Sequence, residues 1–176
     1  MIAPSRPGIL LYALYLYWGA AALWLTSAIG ALFAIPQYRV YYADLHQDPR
    51  GGSLPALLLA GVAVVASTGG AVIVLCTVLD AYGWPIARWL TWTYSVFAAA
   101  IAGIVLLVNS RAVIPWHRWS ITVTAVLSLF AVAGGSILLA QPASGRFFSD
   151  CQARRRGAAR QRAVAWQQRR MMARSR

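Results

Sequence analysis

Lysine and glutamate are missing from this chain of 176 residues, and acidic residues of any kind are rare. All 16 basic residues are arginine, and the only acids are four aspartates, so that charged residues make up 11% of the sequence. A soluble domain carries about 25% charged residues. Because hydrophobic residues make up 60% of the chain, these proportions exclude an ordinary water-soluble globule.

Four long stretches contain no acidic residue and carry arginine only near their edges. They are roughly 9–35, 54–79, 87–109 and 117–140, and each exceeds the about 20 apolar residues needed to cross a bilayer. The first is too long for the apolar core of a signal peptide, which has about 7 to 15 residues, so we expect it to be retained. The sequence predicts an all-α integral membrane protein, with a four-helix bundle over residues 1–145 and an Arg-rich tail over 146–176.

The connections between these stretches predict how the helices are arranged. Residues 80–85 and 109–116 are short enough to make consecutive helices antiparallel neighbours, which favours an up-down-up-down bundle. We expect Pro36 to end the first helix and the residues up to Leu54 to form a short ordered cap. Small residues spaced by four predict close helix contacts. They are Ala22, Thr26 and Gly30; Ala63, Ser67 and Ala71; Ala99 and Gly103; Ala131 and Gly135.

Positive charge is concentrated in the tail, where residues 146–176 hold ten arginines against Asp150. Arg-rich segments stay on the cytoplasmic side during insertion, which predicts a bacterial inner-membrane protein with both termini cytoplasmic, although Arg111 and Arg118 then face outward. Polybasic segments beside a membrane bind anionic lipids, and an acidic protein partner is the other expectation. No base-reading module accompanies the charge, so nucleic acid is not expected. The candidate contact residues are Arg154, Arg155, Arg156, Arg160, Arg162, Trp166, Arg169 and Arg170.

Side chains that carry chemistry are scarce. No predicted span has an ionisable residue near its centre, which argues against a proton relay or an ion path. Facing histidine pairs that could ligate haem are also lacking. The sequence therefore predicts no enzyme activity and no cofactor.

Two small groups of polar residues leave an alternative open. Asp44, His46 and Asp48 are suited to Zn or Mn, but three ligands without a fourth favour a solvated loop and predict no metal site. His117 could act with Ser110 and Asp44 in a catalytic site, whereas an interfacial aromatic girdle over residues 116–119 is the favoured interpretation.

Aromatic residues crowd the first predicted helix, and three of them lie deep in it: Tyr17, Trp18 and Trp24. They could form a face for a partner helix or a lipid tail, but packing inside the bundle is favoured. The two cysteines, Cys76 and Cys151, are expected to be free thiols, because a four-span fold does not bring their positions together.

Two short motifs, residues 87–92 (ARWLTW) and residues 141–148 (QPASGRFF), resemble known proteins. They are similar to segments of small four-helix actinobacterial membrane proteins, a group that includes the accessory lipid-uptake coordinator subunit of mycobacterial mammalian-cell-entry (MCE) lipid importers. The resemblance implies a non-enzymatic accessory subunit of a larger membrane complex, most concretely a lipid importer, and it supplies no catalytic residues. The alternative is a stand-alone membrane enzyme, or a lipid- or metal-binding protein, that uses the external loop and His117.

Overall fold

The computed structural model describes residues 7–47, 52–109 and 113–174, and the regular secondary structure within these ranges is entirely helical. The described helices are α1 (Gly8–His46), α2 (Ser53–Ala81), α3 (Pro85–Asn109), α4 (Pro115–Ala140) and α5 (Pro142–Arg174). Four of them contain segments long and apolar enough to cross a membrane, by length and composition: Gly8–His46, Ser53–Ala81, Ile86–Leu107 and Pro115–Ala140. The prediction of an all-helical membrane protein with four spans is confirmed at this level.

Helix α1 is the centre of the bundle and has its most extensive contacts with α2 and α4. Its buried residues recur every three or four positions, which keeps them on one side of the helix. Most of these residues are alanines, and small side chains let helix backbones approach closely in a membrane protein. The buried series includes Ala13, Tyr17, Ala20, Trp24, Ala28 and Ala31.

The bundle has two ends that differ in their contacts. At one end, the last part of α1 lies beside the starts of α2 and α4. A Cβ added at Gly52 would be 2.5 Å from the Arg39 carbonyl oxygen, and Tyr38 contacts His117. At the other end, the Arg88 guanidinium near the start of α3 donates a hydrogen bond of 3.1 Å to the Leu139 carbonyl oxygen of α4. We call these the far end and the α5 end.

The prediction that Pro36 ends the first helix is wrong, because α1 continues through Pro36 to His46. Proline removes one backbone hydrogen bond from a helix, but neighbouring helices can hold the chain in place. Two contacts with α4 do so directly after the proline. Trp116 Nε1 donates a hydrogen bond of 2.7 Å to Gln37 Oε1, and the Tyr38 ring packs edge-on against His117.

The small residues spaced by four coincide only in part with the positions where the helices contact one another. Ala22 and Thr26 of α1 are exposed, and so is Ser67 of α2. The glycines that approach another helix most closely in α2 are Gly69 and Gly70, which the four-residue spacing did not single out. Other predicted positions do lie at contacts. Ala63 of α2 is buried in the core, Ala131 of α4 is partly buried against it, and Gly135 of α4 packs against Tyr17.

The Arg-rich tail forms one long helix, α5, which does not continue the direction of α4. Gln141 separates the two helices and has an extended conformation, with φ −64° and ψ 146°. The first half of α5 then lies against the α2–α3 turn (residues 82–84). Gly83 has φ +69°, and a Cβ there would be 2.7 Å from Cys151 Sγ, so the turn requires glycine. Residues 142–155 therefore cross the α5 end of the bundle over about 20 Å.

Candidate functional site

A buried carboxylate lies at the α5 end of the bundle. Asp80 is fully buried inside α2, one residue before the helix ends, and not in the connecting turn where the sequence placed it. Its Oδ2 accepts a hydrogen bond of 2.6 Å from Thr91 Oγ1 of α3, and the charge of Arg88 stabilises it electrostatically. Its Oδ1 has no hydrogen-bond partner among the described residues. Helix α3 therefore donates a hydrogen bond to one oxygen of this carboxylate, and the other oxygen receives none from the described residues.

The hydrogen bonds continue from Asp80 into the middle of the bundle. Ser95 Oγ donates a hydrogen bond of 2.7 Å to the Thr91 carbonyl oxygen. The Tyr17 hydroxyl lies 3.0 Å from Ser95 Oγ and 2.9 Å from Ser136 Oγ. This chain of polar groups links all four spans, and we call it the polar network. Because polar groups in an apolar interior need partners, the network fixes how the helices align along their length.

Two of the three predicted interface aromatics lie inside the bundle. Tyr17 belongs to the polar network, and Trp24 packs against Gly69 and the Tyr94 ring, with ring centroids 6.4 Å apart. Trp18 is 50% exposed on the outer surface of α1. Trp18 is thus the member of this group that is placed to meet a lipid or another chain.

His117 occupies the far end of the bundle and is buried, so it does not join the interfacial girdle that the sequence suggested. Trp116 and Trp119 on either side of it are exposed. The Tyr38 hydroxyl lies 3.4 Å from His117 Nδ1, and Nε2 has no hydrogen-bond partner among the described residues. Burial inside the bundle separates this ring from the surface on which an external catalytic site would have to form.

The structure does not assemble a catalytic site around His117 from the residues it describes. Ser120 Oγ donates a hydrogen bond of 3.1 Å to the His117 carbonyl oxygen, so this hydroxyl is directed to the backbone and not to the imidazole. Ser110, the hydroxyl that the sequence analysis named beside His117, lies outside the described residues.

The part of the Asp44, His46 and Asp48 group that the structure describes lies at the end of helix α1 and not in the solvated loop that the sequence favoured. Asp44 and His46 are two residues apart in a helix, so their side chains leave it about 200° apart and do not converge. Asp48 lies outside the described residues. His46 stacks on Tyr42, with ring centroids 6.2 Å apart, and Tyr42 stacks on Tyr38 at 6.3 Å. Across the described ranges, no group of three histidine, cysteine or acidic residues could hold a metal ion.

The predicted contact residues of the tail all lie on α5, but Arg155 differs from the others. Its Nη2 donates a hydrogen bond of 2.6 Å to the Tyr82 carbonyl oxygen, and its guanidinium lies 4.5 Å from the centroid of the Trp84 ring. Arg155 therefore fastens α5 to the bundle. The side chains of Arg154, Arg156, Arg160, Arg162 and Trp166 are exposed. Arg169 and Arg170 lie within α5, and their side chains are outside the described part of the structure.

No protein-family model, curated protein or solved structure gives a significant match to this chain.

Proposed function

We propose that this protein is a non-enzymatic accessory subunit of a larger complex in the bacterial inner membrane. An up-down-up-down bundle with both termini cytoplasmic would anchor it, and the far part of α5 would dock onto an acidic cytoplasmic surface of its partner. A lipid importer is the concrete candidate for that complex, because it is what the two motif resemblances imply. The observation that supports docking is the exposed, basic half of α5.

Helix α5 is fastened to the bundle in its first half. Phe147 and Phe148 are buried, the Arg88 guanidinium lies 5.7 Å from the Phe148 ring centroid, and Arg155 holds the α2–α3 turn. Residues 156–174, which we call the overhang, continue the helix for about 28 Å past Arg155. Every side chain from 153 to 166 is exposed. Most helices in proteins depend on packing for their stability, so an exposed helix of this length favours a binding role.

The charge of the overhang points to an acidic partner. It contains no acidic residue, so its arginines are not balanced within the overhang itself. Arg156 and Arg160 are four residues apart on one side of the helix, where like charges destabilise it slightly. A partner that supplies negative charge would offset this repulsion and the entropy of ordering the chain.

The apolar residues of the overhang do not lie on one side of the helix. Val164 and Met171 are seven residues apart and share a side of the helix, whereas Trp166 is about 160° away from Val164. All three are exposed. Two opposite sides of the overhang are thus suited to contacts, and a flat membrane surface could cover only one of them. This distribution favours a protein partner for at least one side.

A truncation tests the docking role. Truncation after Arg155 leaves the Arg155 contact and all four spans in place, so the bundle should still insert. We expect the truncated chain to retain less of its partner complex in a pull-down from native membranes. High salt should mimic this loss for the full-length chain, because exposed charge contacts are screened. The triple variant Arg156→Gln, Arg160→Gln and Arg162→Gln should behave like the truncation.

The matched control for charge is Arg39→Gln, which removes an exposed arginine from the far end of the bundle. It should leave the association unchanged. If the full-length and truncated chains retain the same partners equally at every salt concentration, the docking surface lies in the spans. If the loss follows the content of anionic lipid in reconstituted membranes that contain no other protein, the overhang binds headgroups.

Cysteine labelling tests the proposed orientation. In a background of Cys76→Ser and Cys151→Ser, single substitutions His46→Cys and Ala158→Cys place a thiol at two exposed positions. A membrane-impermeant thiol reagent added to intact cells should label position 46 and not position 158. Labelling at position 158 alone would reverse the orientation.

A further inference from the structure

An apolar cavity opens on the side of the bundle between α2 and α3, in the half near the far end. Its volume is about 430 Å³, which lies within the about 300 to 1,000 Å³ of typical ligand pockets. Exposed α2 side chains form its rim, among them Leu57, Leu58 and Val65, while buried residues of α3 and α4 form its back wall, among them Ala102, Ile121 and Ala125. All of these residues belong to candidate membrane spans. The opening therefore faces the lipid.

The Ser27 and Thr124 hydroxyls that line this cavity do not need a hydrogen bond from a ligand. Ser27 Oγ donates a hydrogen bond of 2.9 Å to Thr124 Oγ1, and the Thr124 hydroxyl donates to the Ser120 carbonyl oxygen at 2.8 Å. These two hydroxyls are thus satisfied within the wall. Neither water nor a polar headgroup would gain a charged partner from the residues that line the cavity. The lining is suited to a hydrocarbon.

The chemistry of the lining suits an alkyl chain. The cavity runs from the exposed α2 rim to the buried wall of α4, and none of the residues that line it is charged. A flexible hydrocarbon can follow this path without leaving a polar group of its own unpaired in an apolar site.

We propose that this cavity binds one acyl chain of a membrane lipid, which enters from the bilayer between α2 and α3 and reaches the buried wall of α4. Close-packed proteins rarely contain apolar voids of this size, and the hydrocarbon of the bilayer lies at the opening. The inference depends on the four spans and not on the overhang of α5. It is therefore independent of the docking proposed above.

Photocrosslinking tests this site directly. The full-length chain is reconstituted in vesicles of phosphatidylcholine that carries a diazirine near the middle of one acyl chain, irradiated, and mapped by mass spectrometry. We expect crosslinks at Ile121 and Ala125, which are buried and line the cavity. Phe130 of α4 is exposed to lipid and serves as the internal reference, since it should be labelled in every variant.

Two glycines provide a matched pair of variants. A Cβ at Gly61 or at Gly103 would meet nothing within 4 Å, but only Gly61 lines the cavity. Gly61→Trp should reduce labelling of the buried wall about tenfold relative to Phe130, because the new side chain occupies much of the space. Gly103→Trp should leave it unchanged. If Gly61→Trp does not fold, Ala102→Leu fills the same cavity from α3 and should give the same loss.

The proposal is wrong if Phe130 is labelled while Ile121 and Ala125 are not, because the acyl chain then stays outside the bundle. It is also wrong if the cavity-filling variants fold and leave labelling of the buried wall at the wild-type level. Neither outcome depends on whether α5 binds a partner, so the failure of this inference is distinguishable from failure of the docking proposal.

Discussion

Replacing Gly69 with alanine should destabilise the bundle, although the same change at Gly61 in the same helix should not. A Cβ at Gly69 would lie 2.6 Å from Trp24 Cε3 and 2.6 Å from the Tyr94 hydroxyl oxygen. Trp24 is buried, lies over the Tyr94 ring and has the apolar cavity on another side, so it can relieve the clash only by giving up these contacts and turning into the cavity. The substitution therefore forces the tryptophan or the two helices beside it to shift.

The size of the effect follows from two opposing contributions. Alanine is favoured over glycine in a helix by about 0.5 to 1 kcal/mol, and this gain applies at both positions. Overpacking of a close-packed core costs about 1 to 3 kcal/mol, and this cost applies at Gly69 alone. The free energies of unfolding of the two variants should therefore differ by about 1 to 3 kcal/mol, with Gly61→Ala the more stable.

Unfolding of the full-length chain in mixed micelles, titrated with a denaturing detergent and followed by circular dichroism, measures this difference. At about 1.4 kcal/mol for each factor of ten, the unfolding equilibrium constants should differ by about 5-fold to 150-fold. Adding Trp24→Phe to Gly69→Ala should restore part of the loss, because the smaller ring relieves the clash. Equal stabilities of the two glycine variants would refute close contact between α1 and α2 at Gly69.

Three further changes test the polar groups and the attachment of α5. Asp80→Asn should be more stable than Asp80→Ala by about 1 to 3 kcal/mol in the same titration, because asparagine keeps an acceptor for the Thr91 hydroxyl. Equal stabilities of the two variants would contradict this role of Asp80 as an acceptor. Tyr17→Phe should destabilise by about 1 to 2 kcal/mol, because the Tyr17 hydroxyl lies 3.0 Å from Ser95 Oγ and 2.9 Å from Ser136 Oγ. A loss no larger than that of Tyr12→Phe, which changes an exposed tyrosine of the same helix, would count against the network. Arg155→Gln should speed amide hydrogen exchange in the first half of α5, whereas the neighbouring change Arg156→Gln should not. Identical exchange rates in the two variants would show that Arg155 does not fasten the helix.

The four spans could be predicted because the membrane imposes a simple requirement on sequence. Each must be a long run of apolar residues, and no partner elsewhere in the chain needs to be known. Helix ends were harder to predict. Proline weakens a helix locally, but at Pro36 the contacts of Gln37 and Tyr38 with α4 compensate, and such contacts are not visible in a linear pattern.

The polar network was missed because its members are far apart in the sequence. Asp80 looked like a turn residue, since a charge beside a tight turn is normally solvated. One signal was available, because Thr91 and Ser95 lie four residues apart near the start of α3, and Tyr17 lies in the early part of α1. In an antiparallel bundle these residues lie at about the same depth in the membrane as Asp80. Grouping the polar residues of the spans by their depth would have predicted that they are neighbours.

The helical state of the tail was also open to prediction. Arginine, alanine and glutamine dominate residues 153–170, and all three are good helix formers. What the sequence could not show is the bend at Gln141 that directs α5 across the bundle. That bend depends on the fit of Gly83 against Cys151, two residues 68 positions apart.

A continuous helix that is fastened at one end keeps its other residues at fixed distances from the point of attachment. Because α5 runs unbroken from Pro142 to Arg174, each position of the overhang lies at a set distance and rotation from the bundle. A partner that binds Arg160 or Arg162 must then present its acidic groups at that distance. Inserting four residues after Arg155 would move every later arginine outward by about 6 Å and turn it by about 40°. In the proposed complex, the length of α5 would thus set the distance between the bundle and the surface that the overhang binds.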